Sequence, residues 1–231
     1  MFLADNKIVK LKVLLVLFLI LPAIVFPQDV LRGEVAVEFE SMYGFVMDPG
    51  YPLTPEESYR RALEQAALFF SAQIYGWSFR YDIGERARDI AEELSIDLQG
   101  SIPWGDPGLK VTDARFYESR MEAWMDYRPG ELQQRRINTW RTGQNRSAQA
   151  YGYCEIDAAD NWLGVRKAAL EDAARSALRE MLRGSERNRP KEAYGYISLQ
   201  TFPRFFLSGG RWVCSARFLV DIREIVPFSV Y

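Results

Sequence analysis

Apolar and polar residues alternate in three segments of the chain, residues 34–40, 117–127 and 211–223. Period-two alternation of this kind is typical of β-strands with one buried face. In the last segment, RWVCSARFLVDIR, every second residue from Trp212 to Ile222 lies on the side that we expect to be buried. The glycines of the SGG turn at 208–210 allow positive φ, so we predict a hairpin between this strand and residues 193–207.

Two segments instead carry apolar residues at the spacing of a helix that is buried along one side. The first begins after Thr54, which we expect to be the N-cap, with Pro55 in the first turn. The second begins after Asp160 or Asn161 and ends near Arg183, with Gly184 as its C-terminal cap. The predicted buried faces are Tyr59, Ala62, Leu63, Ala66, Phe70 and Ile74 in the first helix, and Trp162, Val165, Ala169, Leu170, Ala173, Ala177 and Met181 in the second.

Two further segments are more polar. A helix is predicted over residues 85–98, because Ala87, Ile90, Ala91 and Leu94 form a narrow apolar stripe. Residues 131–147, ELQQRRINTWRTGQNRS, are basic and almost free of periodic apolar residues, which is typical of a linker or an exposed arm.

The two long helices share a short sequence, ALEQAA at 62–67 and ALEDAA at 169–174. Each follows a strand with a Tyr-Gly pair, and Gly44 and Gly152 precede the first alanine of the shared sequence by 18 and 17 residues. We expect these glycines to allow a bulge or a close helix approach. Coincidental helix composition is an alternative, but the matched spacing favours a duplication.

The predicted fold class is therefore α+β, with two tandem strand-helix-strand units, each a helix packed on a small, mostly antiparallel sheet. The predicted organisation is a signal segment at 1–28, a first unit at 29–130, a polar linker at 131–147 and a second unit at 148–231.

The N-terminal segment has a basic start, MFLADNKIVKLK, followed by the apolar run VLLVLFLILPAIVF. This arrangement is typical of a secretory signal peptide and is short for a membrane span. We expect an exported, periplasmic or envelope-associated protein. Cleavage and retention as an N-terminal anchor are both open, and only the uncleaved form would contact the membrane.

Composition excludes several kinds of chemistry. The chain has no histidine and lacks the Walker, GxSxG and GxGxxG motifs, so histidine-dependent hydrolase and common nucleotide sites are excluded. We expect no enzyme activity, no cofactor and no metal site. The net charge of −2 argues against nucleic-acid binding. The two cysteines, Cys154 and Cys214, lie on inward faces of predicted strands, where a disulfide and two buried thiols are both open.

Exposed aromatic and basic residues are the candidates for an interaction surface, because such residues are enriched at interfaces. Four tryptophans lie in predicted loops or on a polar strand face, and four arginines lie in the predicted linker. The candidates are Trp77, Trp104, Trp124, Trp140, Arg135, Arg136, Arg141 and Arg146. Core packing is the alternative for the tryptophans, and a solvated arm is the alternative for the arginines.

The segments AYGYCEID, RKAALEDAARSAL and GGRWVCSARFLVDI, within residues 148–224, resemble the N-terminal domain of flagellar assembly protein T and the related Lpp-twenty-type envelope lipoproteins. This chain lacks the acylated cysteine of the lipoproteins. The resemblance implies a non-catalytic structural or interaction module in a flagellar or other envelope assembly, with an envelope protein as partner. The exposed aromatics support an alternative, a periplasmic binder of peptidoglycan fragments or similar cell-wall glycans.

Overall fold

The computed structural model describes residues 29–40, 51–84, 91–155, 161–183 and 190–227. The predictions for the signal segment at 1–28, for the strand around Gly44 and for the caps Asp160 and Gly184 lie outside these residues. The helices are α1 (Pro55–Ile74), α2 (Glu131–Thr142) and α3 (Trp162–Arg183). The strands are β1 (Leu31–Glu38), β2 (Trp77–Asp82), β3 (Glu93–Leu98), β4 (Leu109–Phe116), β5 (Arg120–Tyr127), β6 (Arg146–Glu155), β7 (Pro190–Leu199), β8 (Arg204–Ser208) and β9 (Arg211–Pro227).

The strands form two sheets in which every pairing is antiparallel, so the predicted α+β class is confirmed. The smaller sheet has the order β1-β5-β4. The larger sheet has the order β3-β2-β7-β9-β6, and β8 also pairs with β9. The predicted hairpin around the SGG turn is confirmed, and its glycines, Gly209 and Gly210, have φ of 59° and 75°. Its first arm, expected to be one strand over residues 193–207, is divided between β7 and β8, which both pair with β9.

Helix α1 contributes to the cores of both sheets. The Thr54 hydroxyl accepts the backbone N–H of Glu57 at 3.2 Å, as expected of an N-cap. Ala66 and Phe70 pack on the smaller sheet, with the buried side chains of β5. Phe69 and Ala72 belong to the core of the larger sheet. A helix with apolar residues on two sides therefore joins the two layers.

Helix α3 covers one face of the larger sheet. Asn161 caps it, since its side-chain oxygen accepts the backbone N–H of Gly164 at 2.7 Å. Its alanines lie directly on β6 at Gly152, where an added β-carbon would come closer than 3.0 Å to the backbone of Ala169 and Ala173. The expected close approach of helix and strand at this glycine is therefore present.

The prediction of a helix over residues 85–98 is wrong for residues 91–98, of which 91 and 92 have no regular secondary structure. Residues 93–98 form β3, in which Leu94, Ile96 and Leu98 are half-buried and alternate with exposed polar side chains. Residues 85–90 lie outside the described part of the chain. The short alternation ELSIDL carried the strand signal, and pairing with β2 satisfies its backbone.

The proposed division of the chain at residues 131–147 does not coincide with the division between the sheets. Strand β2, assigned to the first unit, pairs with β7 of the second. Within the predicted linker, Glu131–Thr142 form α2, and β6 begins at Arg146. Helix α2 is held by one buried residue, Ile137, and by polar contacts rather than by an apolar stripe.

A buried guanidinium connects α3 to α1 and β1. Arg166 is 3% exposed and pairs with the Glu38 carboxylate at 2.8 Å. It also donates to the backbone oxygen of Ala36 at 2.9 Å and to the side chain of Gln65. A buried charge must have such partners, because burying it alone costs several kcal/mol. Arg166 therefore fixes how the first part of the chain sits on the second.

Cys154 and Cys214 are buried and are not joined in a disulfide, so the structure has the second of the two alternatives. In the β6–β9 register, Cys214 lies opposite Gly152, and Cys154 lies opposite Trp212. Residues on such a diagonal are about 7–8 Å apart, whereas a disulfide needs β-carbons about 3.8 Å apart. Burial also raises the pKa of the Cys214 thiol.

We expect the purified protein to run at the same position on reducing and non-reducing gels. Two thiols should react with a maleimide after unfolding. Cys214 should react slowly in the folded protein, because its thiol is fully buried and stays protonated at neutral pH. A gel shift that disappears on reduction, together with fewer than two reactive thiols, would contradict the β6–β9 register.

Candidate binding surfaces

The part of the chain that the structure describes contains no group of three or more Cys, Asp or Glu side chains arranged to hold a metal ion. In the same ranges no helix is long and apolar enough to cross a bilayer. Two surface features stand out instead. One is a cleft beside α2, and the other is the free edge of the larger sheet.

The cleft beside α2 has a volume of about 570 Å³ and opens to solvent. Helix α2 and the turn after it contribute one part of its lining, and strands β7 and β9 contribute another. The lining consists of Tyr75, Gln99, Arg136, Thr139, Trp140, Gly143, Gln144, Asn145, Tyr196, Asp221 and Arg223. Its volume is within the range of about 300–1,000 Å³ that is typical of small-ligand sites.

Each of the two arginines of the cleft lies over a tyrosine ring. The guanidinium of Arg136 is 5.5 Å from the ring centre of Tyr75, and that of Arg223 is 5.9 Å from that of Tyr196. Arg223 also pairs with Asp221 at 2.7 Å. Stacking on an aromatic face holds a guanidinium in one plane, which leaves its N–H groups directed to the side.

Polar contacts fix the position of α2 over the sheet. The Gln133 side chain accepts the backbone N–H of Gly130 at 2.8 Å and donates to the Tyr75 hydroxyl at 2.9 Å. The ring of Trp140 lies against Gly76, where an added β-carbon would meet it at 2.7 Å. Gly76 has a φ of 68°, so both its conformation and this contact require glycine.

Two smaller cavities adjoin the cleft. One of about 350 Å³ shares Trp140 and is also lined by Arg141 and Ile137. The other, of about 400 Å³, shares Asp221 and Arg223 and is also lined by Arg146. A groove with arginines at several positions therefore runs past the C-terminal end of α2.

The second feature is β6, the edge strand of the larger sheet. Its inward residues, Ala150, Gly152 and Cys154, are buried under α3, whereas Tyr151 and Tyr153 are about half exposed on the other face. Among the described residues no strand lies beyond it. One backbone group of this edge is already paired, since the Asp172 carboxylate accepts the backbone N–H of Tyr153 at 3.0 Å.

The β6 edge differs from other edges of the two sheets. Between Arg146 and Glu155 it has eight uncharged residues without proline, and its register with β9 is regular over all ten described positions. The edge strands β1, β3 and β4 carry internal charges, and β4 also has a register shift between Val111 and Asp113. Natural proteins protect edges with charges, proline or bulges, so β6 is more open than β1, β3 and β4. The remaining edge strand, β8, also lacks internal charges, but it has five residues where β6 has ten.

The structure divides the candidate interaction residues. Trp140 and Arg136 line the cleft, while Arg141 and Arg146 line the cavities beside it. Trp104 is 63% exposed in a loop and lines neither the cleft nor the two cavities beside it. Arg135 pairs with Glu131 on α2. Trp124 is on the polar face of β5, as predicted, under the guanidinium of Arg115.

The prediction that Trp77 is an exposed contact residue is wrong. It is 5% exposed, because β2 begins at this residue and Trp77, Phe79 and Tyr81 alternate into the core. Sequence reasoning also missed Tyr75, Tyr196 and Arg223 as cleft residues. The sequence signals that were available are the polar face of β9 and the arginine-rich segment 131–147. Only the packing of α2 brings these residues together.

Tyr81 links β2 to α3 through a carboxylate. Its hydroxyl donates to Glu92, and Arg179 of α3 donates to both Glu92 oxygens at 3.0 and 2.6 Å. Burial, together with the hydrogen bond to Glu92, raises the pKa of Tyr81 to about 12. Partial burial alone would raise the pKa of Glu92, but the hydrogen bonds from Arg179 and Tyr81 outweigh it, and the pKa lies below its usual 4.5.

A carboxylate with a lowered pKa stabilises the folded state above its unfolded pKa, and the contribution is lost as pH falls through the folded pKa. We therefore expect Glu92→Gln to lower the free energy of unfolding at pH 7. The difference in the free energy of unfolding between the variant and the unmodified protein should become smaller below about pH 4.5. Urea unfolding between pH 3 and 7 measures this. The control is Glu180→Gln, whose carboxylate is 78% exposed, and a difference that stays constant with pH would contradict the assignment.

Comparison with known proteins gives a similar protein and a family match. No solved structure matches the chain. It is similar to an uncharacterized protein of Treponema pallidum (strain Nichols), with 27% identity over 185 residues that cover 78% of this chain and 74% of the relative. A protein-family model matches residues 26–228. Because that match covers most of the chain, the protein belongs to the family that this model defines.

Proposed function

We propose that the protein is a non-catalytic, exported envelope protein that acts as a structural or interaction module. Its partner adds a strand to the larger sheet at β6. The observation that carries this proposal is the long, uncharged and regular edge of β6, because exposed backbone groups at such an edge bind extended segments.

The side chains beside this edge favour an apolar or aromatic partner segment. Tyr153 lies opposite Val213 of β9, and Val213 lies opposite Phe206 of β8, so the three share one row on the outer face of the sheet. Tyr153 and Phe206 are 53% and 44% exposed. In an antiparallel strand the backbone N–H and C=O groups of every second residue face the edge. Those of Tyr153 face it, so those of Tyr151 and Gln149 do as well.

The envelope location rests on the signal-like N-terminus and on the resemblance to flagellar assembly protein T and Lpp-twenty-type lipoproteins. We also propose that the chain arose by duplication of a strand-helix-hairpin unit. Strand order supports this. In the first half of the chain, β1 to β5, the first strand pairs with the last, and the last pairs with the second-to-last, which gives β1-β5-β4. In the second half, β6 to β9, the same rule gives β6-β9-β8. Strands β2 and β3 are then additions that extend the second sheet.

The proposal is tested by placing a charge at the edge. We expect Tyr151→Glu to reduce the amount of partner that co-purifies from the native envelope by about tenfold or more, because a buried unpaired charge costs several kcal/mol. Stability should hardly change, since Tyr151 is 50% exposed.

The matched control is Tyr117→Glu, which changes a tyrosine of similar exposure, 46%, in the connection between β4 and β5 of the other sheet. It should leave the co-purified amount unchanged. Equal effects of the two variants, or a protein found only outside the envelope fraction, would overturn the proposal.

A further inference from the structure

We propose that the cleft beside α2 binds a saccharide that carries a single carboxylate group. The cleft and the β6 edge are separate surfaces, so this inference does not depend on the interaction proposed for β6. It gives a role to Arg136 and Trp140, which the sequence alone places only in an arginine-rich segment.

Aromatic rings line the cleft, and two of them, Trp140 and Tyr196, give it surface on which a sugar can bind. Tyr75, Trp140 and Tyr196 come from three different elements and line the same space. A pyranose ring has an apolar face of C–H groups, which packs on an aromatic face as other apolar groups do. Tyr196 is 40% exposed, and Trp140 is half-buried against Gly76, so both rings present surface to a ligand.

The polar groups around these rings suit hydroxyl groups. Gln99, Gln144 and Asn145 supply amides that both donate and accept hydrogen bonds, and Thr139 supplies a hydroxyl. Asn145 is held in place, since its side-chain nitrogen donates to the backbone oxygen of Trp140 at 2.7 Å. A ligand rich in hydroxyls uses both kinds of group, whereas an apolar ligand would leave them unpaired.

The charges of the cleft indicate one anionic group on the ligand. Asp221 neutralises Arg223, with which it pairs at 2.7 Å. Arg136 stacks on Tyr75 and, among the described residues, forms no ion pair. A planar guanidinium held on a ring matches the geometry of a carboxylate. Asp221 at the same cleft disfavours polyanions such as nucleic acid, which would bring several charges close to it.

Calorimetric titration of the purified full chain tests the inference with three disaccharides. The acidic probes each carry one carboxylate: N-acetylglucosaminyl-N-acetylmuramic acid represents cell-wall glycan, and cellobiouronic acid, a glucuronate linked to a glucose, represents other acidic polysaccharides. The neutral probe is N,N′-diacetylchitobiose. We expect at least one acidic probe to bind about tenfold or more tightly than the neutral one, since a charge-assisted hydrogen bond distinguishes them.

Arg136→Gln should remove this preference, and Arg135→Gln should keep it. Arg135 is the matched control, because it is the neighbouring residue on α2 and pairs with Glu131 outside the cleft. Tyr196→Ala should weaken binding of every probe that binds. Its side chain is exposed, so the variant should fold, and far-ultraviolet circular dichroism checks this.

The stronger acidic probe identifies the source of the ligand. Absence of saturable binding for all three disaccharides would overturn the inference. Equal effects of Arg136→Gln and Arg135→Gln would also overturn it, as would tighter binding of glucose 6-phosphate than of either acidic disaccharide. None of these results depends on the β6 variants, so the two proposals fail independently.

Discussion

Gly152→Ala should destabilise the protein by about 3 kcal/mol, the upper part of the range for overpacking a core. A β-carbon at this position would lie closer than 3.0 Å to the backbone of Ala169 and Ala173. Backbone atoms of a helix cannot move aside as the end of a flexible side chain can. To admit the methyl group, α3 must lift from β6, and the contact that covers the larger sheet is weakened. Thermal or urea unfolding measures the loss.

The control for this substitution is Gly130→Ala. Gly130 has a φ of −69°, and the nearest atom to an added β-carbon is 3.8 Å away. It precedes α2, where alanine is only a moderately poor N-cap, so the cost should be about 1 kcal/mol or less. If both substitutions cost the same, the close packing of α3 on β6 is not as described.

Arg166→Met has the second large expected effect, a loss of about 3 kcal/mol, near the lower end for breaking a buried ion pair. Methionine keeps the side-chain length but leaves Glu38, Gln65 and the Ala36 oxygen without their donor. Glu38 is 19% exposed, so water partly replaces the lost partner. Urea unfolding of the variant and of the unmodified protein measures this loss in the free energy of unfolding.

A double-mutant cycle with Glu38→Gln shows whether the loss comes from this contact. The two substitutions together should cost less than the sum of the single losses, by about 1 kcal/mol or more. Lys167→Met is the control, because Lys167 is adjacent on α3 but exposed, and its pair with Glu171 at 3.8 Å contributes about 0.5 kcal/mol at most. Strict additivity in the cycle would contradict the proposed link between β1 and α3.

Sequence patterns predicted the elements whose neighbours are close along the chain. Thr54 and Asn161 cap their helices as expected, because a cap depends only on the next three residues. Strands β5 and β9 follow their alternation, and Met121, Ala123 and Met125 are fully buried. Such local signals identify an α+β fold. The SGG turn is predicted correctly for the same reason, because its glycines alone allow the positive φ that the turn needs.

The patterns did not predict which strands share a sheet or what covers α2. Strand β2 follows the first helix directly, yet it pairs with β7, more than a hundred residues away in sequence. Helix α2 buries a single apolar residue, Ile137, and relies on Gln133 and Trp140 contacts with Tyr75 and Gly76. The cleft exists only through these long-range contacts, so its tyrosines and Arg223 could not be recognised from sequence.

We propose that β6 receives a partner strand in the envelope. It is tested most directly by placing a photo-crosslinking amino acid at Tyr151 and, separately, at Tyr117 in the native cell. The β6 proposal predicts one discrete crosslinked species from position 151, with the crosslink in an extended segment of a single partner, and none from position 117. No adduct at position 151, or the same adducts from both positions, would contradict it.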